Sequence, residues 1–240
     1  MEKRYSHLNR SILERARARA RREGVWSCIG HAVHLALIRP WRYLRCLWQR
    51  VFARDRTFEF NGGTYSYFWH TYNATWENSR CVEIPIVWRI VESHIGREIL
   101  EVGDVLSHYF DVSHDIVDKY ARGDGLIRED VVDFTPAKRY DLIVSISTLE
   151  HVGWDEEPQE PMKPLRAIEH LKTLLARGAK LVVTLPVGQN PHLDRALREG
   201  TVAFTESYSL LRTARGNTWA EADPGVLRDG SLFIGVTKDE

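Results

Sequence analysis

Six side chains and one glycine in the middle of this chain have the types and spacing for ligand chemistry. Glu101 and Gly103 close an apolar run, and Asp118 closes the next one, 15 residues after the glycine. Asp130 follows a third run, and Ser147, Glu150 and His151 follow a fourth. A glycine after a strand lets a ligand approach the backbone without meeting a β-carbon. An acid at the end of the next strand suits the paired hydroxyls of a ribose, accepting a hydrogen bond from each. An acid one strand further on suits the exocyclic amine of an adenine. A histidine titrates near neutrality, so His151 suits removal of a proton from an acceptor group.

The elements that would position these groups are legible as patterns. Apolar strand candidates run over 98–103, 114–119, 125–130, 140–146 and 179–186. The last two are almost free of charge, as strands buried on both faces should be. Between them, PLRAIEHLKTLLARG places Leu165, Ile168, Leu171, Leu174 and Leu175 at helical spacing. Strands alternating with helical or turn segments predict a parallel α/β sheet, with ligands beyond the carboxyl ends of its strands. After residue 204, FTESYSLLRTARGNTWAEAD and SLFIGVTKDE predict a closing strand pair, with a turn at Gly216.

Upstream, TFEFNGGTYSYFW alternates aromatics about Asn61-Gly62, a hairpin signal. YNATWENSRCVEIPIVWRIVES then runs from a polar aromatic segment into a helix, with Pro85 expected in its first turn and Ile84, Val87, Trp88 and Val91 on one face. These patterns divide the chain into three parts: a basic amphipathic extension (1–56), an aromatic hairpin with a lead-in helix (57–96), and the α/β domain (97–240).

The formal net charge is zero, unevenly distributed. Residues 1–56 carry 14 Lys/Arg against 4 Asp/Glu, and the remainder 19 against 29. In WRYLRCLWQRVF, Trp41, Leu44, Trp48, Val51 and Phe52 share a helical face that the arginines mostly avoid. Such a helix packs on its own domain or lies in a membrane interface. Peripheral contact at an inner membrane face through residues 1–56 is therefore an expectation; nucleic-acid binding is not, because bulky apolar residues interrupt the arginines and no nucleic-acid module is present. Cys28, Cys46 and Cys81 lack metal-ligand spacing, no metal site is expected, and a reducing, cytoplasmic setting follows.

In order, ILEVGDVLSHY, Asp118, EDVVDF, YDLIVSISTLEHVG and LLARGAKLVVTLP resemble the successive motifs of class I S-adenosylmethionine-dependent methyltransferases. The resemblance spans about residues 98–186, and the closing strands extend it. It implies a doubly wound, seven-stranded, mostly parallel Rossmann-like sheet, S-adenosylmethionine as cofactor and methyl transfer as activity. It assigns donor-facing places to Glu101, Gly103, Asp104, Asp118, Asp130, Val131 and Ser147, with Asp133 a competitor for the place of Asp130. Catalytic or positioning places fall to Glu150 and His151. Tyr72, Asn73 and Trp76 either line the acceptor site or pack the lead-in. The segment YNATWENSR is similar to the lead-in of an uncharacterised bacterial branch.

The departures are informative. GDVLS has one glycine where that family has two or three, and ARGAK stands where its PGG turn is usual. A dinucleotide's phosphates need close backbone approach at several glycines, so NAD, FAD and sugar-nucleotide chemistry are disfavoured. A sulfonium donor has no phosphate and asks less of the loop. The expected acceptor is a small molecule or glycan, such as a hydroxyl of a sugar or lipid-linked glycan. The alternative is a non-catalytic methyltransferase-like module serving as a membrane-proximal binding partner.

Overall fold

A computed structural model describes residues 44, 46–49, 51, 55–213 and 217–239. The chain forms two compact units, Met1–Ala53 and Arg54–Glu240. In the first, Leu44, Cys46, Leu47, Trp48, Gln49 and Val51 are helical; Cys46 and Gln49 are buried, while Leu44, Leu47, Trp48 and Val51 are about half exposed. Trp41 and Phe52, expected on that face, lie outside the described residues, as does nearly all of the basic arm.

The second unit opens with the hairpin β1 (Thr57–Phe60) and β2 (Gly63–Ser66). Asn61 and Gly62 sit at φ 48° and 70°, the two positive angles a tight hairpin turn requires. Phe58 and Phe60 point inward and their neighbours outward. Helix α1 (Arg80–Glu92) follows. It starts earlier than the sequence suggests, so Pro85 lies beyond the first turn. The helical bond Pro85 cannot make leaves the Cys81 carbonyl free, and Phe68 N–H donates to it at 2.9 Å.

The main sheet contains β3 (Ile99–Val102), β4 (Asp115–Val117), β5 (Leu126–Ile127), β6 (Tyr140–Ile146), β7 (Leu175–Pro186), β8 (Glu206–Thr213), β9 (Thr218–Ala222) and β10 (Ser231–Lys238). Its order is β5-β4-β3-β6-β7-β10-β8-β9. The first five strands in this order are parallel to one another, and each pairing after β7 is antiparallel. Helix α2 (Lys163–Thr173) precedes β7, and α3 (Pro191–Arg198) follows it. Strand β6 coincides with its predicted span and is buried at every residue but Asp141.

Three differences from expectation have local causes. The sheet has eight strands, not seven, because the first closing segment is itself a hairpin, β8–β9. Strand β7 begins at Leu175, inside the predicted helix. Tyr140 pairs with Leu175 and its N–H takes the Leu174 carbonyl, while the register shifts before Leu142 meets Lys180. Strands β4 and β5 are shorter than predicted. Among the described residues, their connections hold only a 3-10 turn at Leu106–His108, and the β4–β5 link of residues 118–125 is too short for a crossover helix.

The core is a contiguous cluster around Leu100, Ile143, Leu171, Leu181, Val183 and Phe233.

Candidate functional site

From β3 the chain moves outward through β4 and β5, then returns to β6 on the other side of β3. Strand order reverses between β3 and β6, and crevices open at such points. The loop after β3 and the loop after β6 meet there. A β-carbon built on Gly103 would lie 2.2 Å from Thr148 Oγ1 and 2.6 Å from its Cγ2. Gly103 also sits at φ 88°, where only glycine is unstrained. The chain's own Thr148 thus occupies the approach that this glycine opens.

The carboxylates expected along the crest are present, and each has internal partners. Glu101 is fully buried: Oε1 accepts from Val105 N–H (2.9 Å) and Leu106 N–H (2.8 Å), and Oε2 lies 2.8 Å from His114 Nε2. It therefore shapes the loop after β3 from beneath. Asp118 is half-buried at the end of β4. Its Oδ2 accepts from Asp104 N–H at 3.1 Å, and Oδ1 from Tyr120 and Ala121 N–H at 2.8 Å each. Asp104 accepts a short bond from Ser107 Oγ and stands 3.7 Å from His108 Nε2.

Asp130 belongs to a ring of alternating charge. Its Oδ2 accepts from Lys119 and Lys163 Nζ at 2.6 Å each, and both lysines also reach Glu156 Oε2, at 3.2 and 2.6 Å. Burial opposes ionisation of Asp130 and Glu156, but the lysine hydrogen bonds outweigh it and hold both below the usual carboxylate range. Asp130 is spent on lysines rather than left open for an amine. Val131 is buried in the apolar core cluster. Asp133 is held near Asp130 by its N–H bond to the Asp130 carbonyl (2.9 Å).

The other half of the site lies beyond β6. Ser147 takes φ 41°, a strained value for a residue with a β-carbon. Its N–H donates to the Thr184 carbonyl at 2.9 Å, and its hydroxyl makes a short bond to Glu83 Oε1. Glu83, from α1, is wholly buried and also accepts from Thr184 Oγ1 at 2.8 Å and Ser79 Oγ at 3.1 Å. Arg80, from the same turn, donates to the Ile146 carbonyl at 2.9 Å and the Ser147 carbonyl at 3.4 Å. Glu150 is buried, and its Oε2 has no hydrogen-bond partner. Burial first, then Glu83's charge, push its carboxyl up to about 8, its own backbone N–H opposing. His151 is half exposed, with Nδ1 2.9 Å from Asp155 Oδ2 and Nε2 3.7 Å from Glu150 Oε1.

The lead-in segment borders this region. Tyr72 stacks on His108 with centroids 4.1 Å apart and meets Tyr109 edge-on. Asn73 and Ala74 adopt consecutive positive φ angles, 55° and 44°, and Asn78 Nδ2 braces the Asn73 carbonyl at 2.8 Å. Trp76 is buried. Burial pushes the Tyr109 hydroxyl up to about 12, and that hydroxyl has no partner. Strained residues at 73, 74 and 147 thus sit on the two segments that Arg80 and Glu83 tie together.

Sequence alone locates the strand-end acids, Ser147, Glu150 and His151. It does not reveal Arg80, Glu83, Thr148, Thr184, His114, Lys119, Lys163 or Glu156. Among the described residues no cluster of His, Cys, Asp and Glu could hold a metal ion.

No protein-family model matches the chain, and no curated protein does. Solved structures do. The N-methyltransferase NodS of Bradyrhizobium japonicum, in complex with S-adenosyl-L-homocysteine, is 14% identical over 68% of this chain and 89% of its own, with a TM-score of 0.46. A possible histamine N-methyltransferase of Thermotoga maritima is 12% identical over 63% and 87%, with a TM-score of 0.40. The sugar N-methyltransferase KedS8 of Streptoalloteichus is 14% identical over 68% and 90%, with a TM-score of 0.36. Five parallel strands in the order β5-β4-β3-β6-β7, with antiparallel β10 inserted between β7 and β8, give this chain a Rossmann-like methyltransferase fold.

Proposed function

We propose that the chain is an S-adenosylmethionine-dependent methyltransferase acting on a hydroxyl of a small molecule or glycan. The observation that carries this reading is the meeting of Gly103, Asp118 and the Ser147–His151 loop at the reversal between β3 and β6. Of the acids on the crest, Asp118 fits a ribose best. A carboxylate offers about four acceptor positions; three are taken by backbone amides that also fix its direction, which leaves one for a single ribose hydroxyl rather than for both. Glu101 is fully buried with partners on both oxygens, so Asp104, which is not fully buried, is the carboxylate placed to face the donor's ammonium. When bound, the donor supplies an already activated methyl group. The protein then has to align the acceptor, keep water out and receive a proton. His151 suits the proton's arrival, because Nδ1 is turned to Asp155 and Nε2 is the nitrogen left to accept.

Calorimetry with S-adenosylmethionine and S-adenosylhomocysteine tests the donor site. Asp118→Ala is expected to weaken binding by roughly 10- to 100-fold, the worth of one hydrogen bond to a charged acceptor. Unchanged affinity in that variant would remove Asp118 from the site. No heat and no thermal shift for the wild type at millimolar ligand would favour the non-catalytic reading, which the seating of Thr148 on Gly103 supports.

Peripheral membrane contact is a second part of the proposal. Leu44, Leu47, Trp48 and Val51 recur at helical spacing and stay exposed, in a region of strong positive charge. No helix among the described residues is long and apolar enough to cross a membrane. Flotation of the full chain with anionic vesicles is expected to fall several-fold in Trp48→Glu; equal flotation of the two proteins would overturn this part.

A further inference from the structure

Ser147 follows β6 with φ at 41°, a left-handed value that is costly for a residue with a β-carbon. Such strain persists only where the surroundings over-determine it. Here every polar group of the residue is held. Its N–H donates to the Thr184 carbonyl at 2.9 Å and lies 3.2 Å from Thr184 Oγ1. Its hydroxyl makes a short bond to Glu83 Oε1, and its carbonyl accepts from Arg80 at 3.4 Å. Two of these three holds come from the first turn of α1. Glu83 is itself fixed: it is fully buried, accepts from Thr184 Oγ1 at 2.8 Å and Ser79 Oγ at 3.1 Å, and has Arg80 Nε 3.8 Å from Oε2. Arg80 is anchored by the Ile146 carbonyl at 2.9 Å.

The turn at Ser147 decides where the next residues go. An extended residue there would carry the chain on beside β7, continuing the ladder in which Ile146 pairs with Thr184. The left-handed turn instead sends Thr148 back over its own strand. Its hydroxyl donates to the Ile146 carbonyl at 3.0 Å, and its side chain seats on Gly103. The 3-10 turn Leu149–His151 follows directly. One strained residue thus sets both the wall of the β3–β6 crevice and the start of the loop that carries the candidate base. Resting on the methyltransferase reading, we propose that Glu83 is a positioning residue for the donor site. By holding the Ser147 hydroxyl it keeps the left-handed turn populated, and that turn keeps Thr148 against Gly103. The lead-in helix is then a working part of the site, and the donor meets a loop already in place.

The test compares two substitutions that remove the same hydroxyl from the full chain. Ser147→Ala keeps the β-carbon and its strain. Ser147→Gly removes both, since glycine takes positive φ about as readily as negative. By calorimetry, Ser147→Gly is expected to bind S-adenosylhomocysteine within about twofold of wild type. Ser147→Ala is expected to bind it about 5- to 30-fold more weakly, the population lost when a left-handed residue is released. A lost ligand contact would weaken the two variants equally, and lost packing would weaken the glycine variant more. Glu83→Ala should weaken binding as Ser147→Ala does, and adding Ser147→Gly should restore most of it. Should Glu83→Ala fail to fold, the pair at 147 decides. A ligand-free readout is the NOE between the Thr148 methyl and the Gly103 α-protons, expected in wild type and Ser147→Gly and weakened in Ser147→Ala. In a wild type that binds, equal affinities of the two 147 variants would overturn the proposal and leave the methyltransferase reading standing. Tighter binding by Ser147→Ala would do the same, as the mark of a released plug. No binding by the wild type would remove that reading, and the donor role of Glu83 with it, even where the NOEs follow the expected pattern.

Discussion

Glu150→Gln is expected to stabilise the folded chain by about 2–3 kcal/mol at pH 7 and by almost nothing at pH 4. The folded protein holds the Glu150 carboxyl near 8, against an ordinary value of 4.5. Burial is the main cause, and the charges of Glu83 and Asp194 add to it over the opposition of Arg80 and the residue's own N–H. An acid whose value is raised on folding keeps a proton that the unfolded chain has released. Stability therefore falls as pH rises from about 4.5 to about 8, and is flat outside that window. At about 1.4 kcal/mol per unit the full span is worth at most about 5 kcal/mol, and the part reached by pH 7 about 3, before any local relaxation. Glutamine has the same shape and no charge at any pH, so it removes this pH-dependent cost. Urea denaturation at pH 4, 7 and 8.5 would measure it. Parallel stability curves for the two proteins would show that Glu150 ionises as an ordinary surface carboxyl.

The same residue shows how far the sequence can be read. Glu150 and His151 are recognisable because they follow a charge-free run, and β6 has the predicted bounds because burial on both faces leaves little room for any other pattern. Glu83 is invisible there as a buried hydrogen-bond hub. Read along the chain it is one acid in an amphipathic helix. Its role comes from Thr184, 101 residues away, and Ser147, 64 away. Lys119 and Lys163 escape notice for a similar reason: only the fold turns them onto Asp130 and Glu156. Leu174 and Leu175 continue the helical spacing of α2, and what overrides it is a bond from Tyr140 across the sheet. Patterns of burial are local and legible. Pairings between distant polar groups are set by topology and are not.

Gly103→Ala is expected to cost about 3–4 kcal/mol, and much of that should return when Thr148 is removed as well. Two effects add. A β-carbon at φ 88° is strained whatever surrounds it, a cost of about 1–2 kcal/mol. It would also fall 2.2, 2.6 and 2.9 Å from Thr148 Oγ1, Cγ2 and Cβ. Thr148 has little freedom to yield, because its hydroxyl donates to the Ile146 carbonyl at 3.0 Å and Ser147 before it is already at φ 41°. Overpacking of this kind costs about 1–3 kcal/mol. Thr148→Ala would still leave a carbon 2.9 Å away, so the partner variant has to be Thr148→Gly. A double-mutant cycle then separates the two effects: the clash disappears in Gly103→Ala/Thr148→Gly, and the backbone strain stays. A coupling above about 1 kcal/mol is expected. Strict additivity would mean that the two loops do not touch as described, and the crevice at the β3–β6 reversal would lose the wall on which the proposed donor site depends. The cycle also bears on the choice between the two functional readings. If Thr148 plugs a disused cleft, Thr148→Gly will not create affinity for S-adenosylhomocysteine. If Thr148 is the wall of a working site, the variant should change an affinity that the wild type already has.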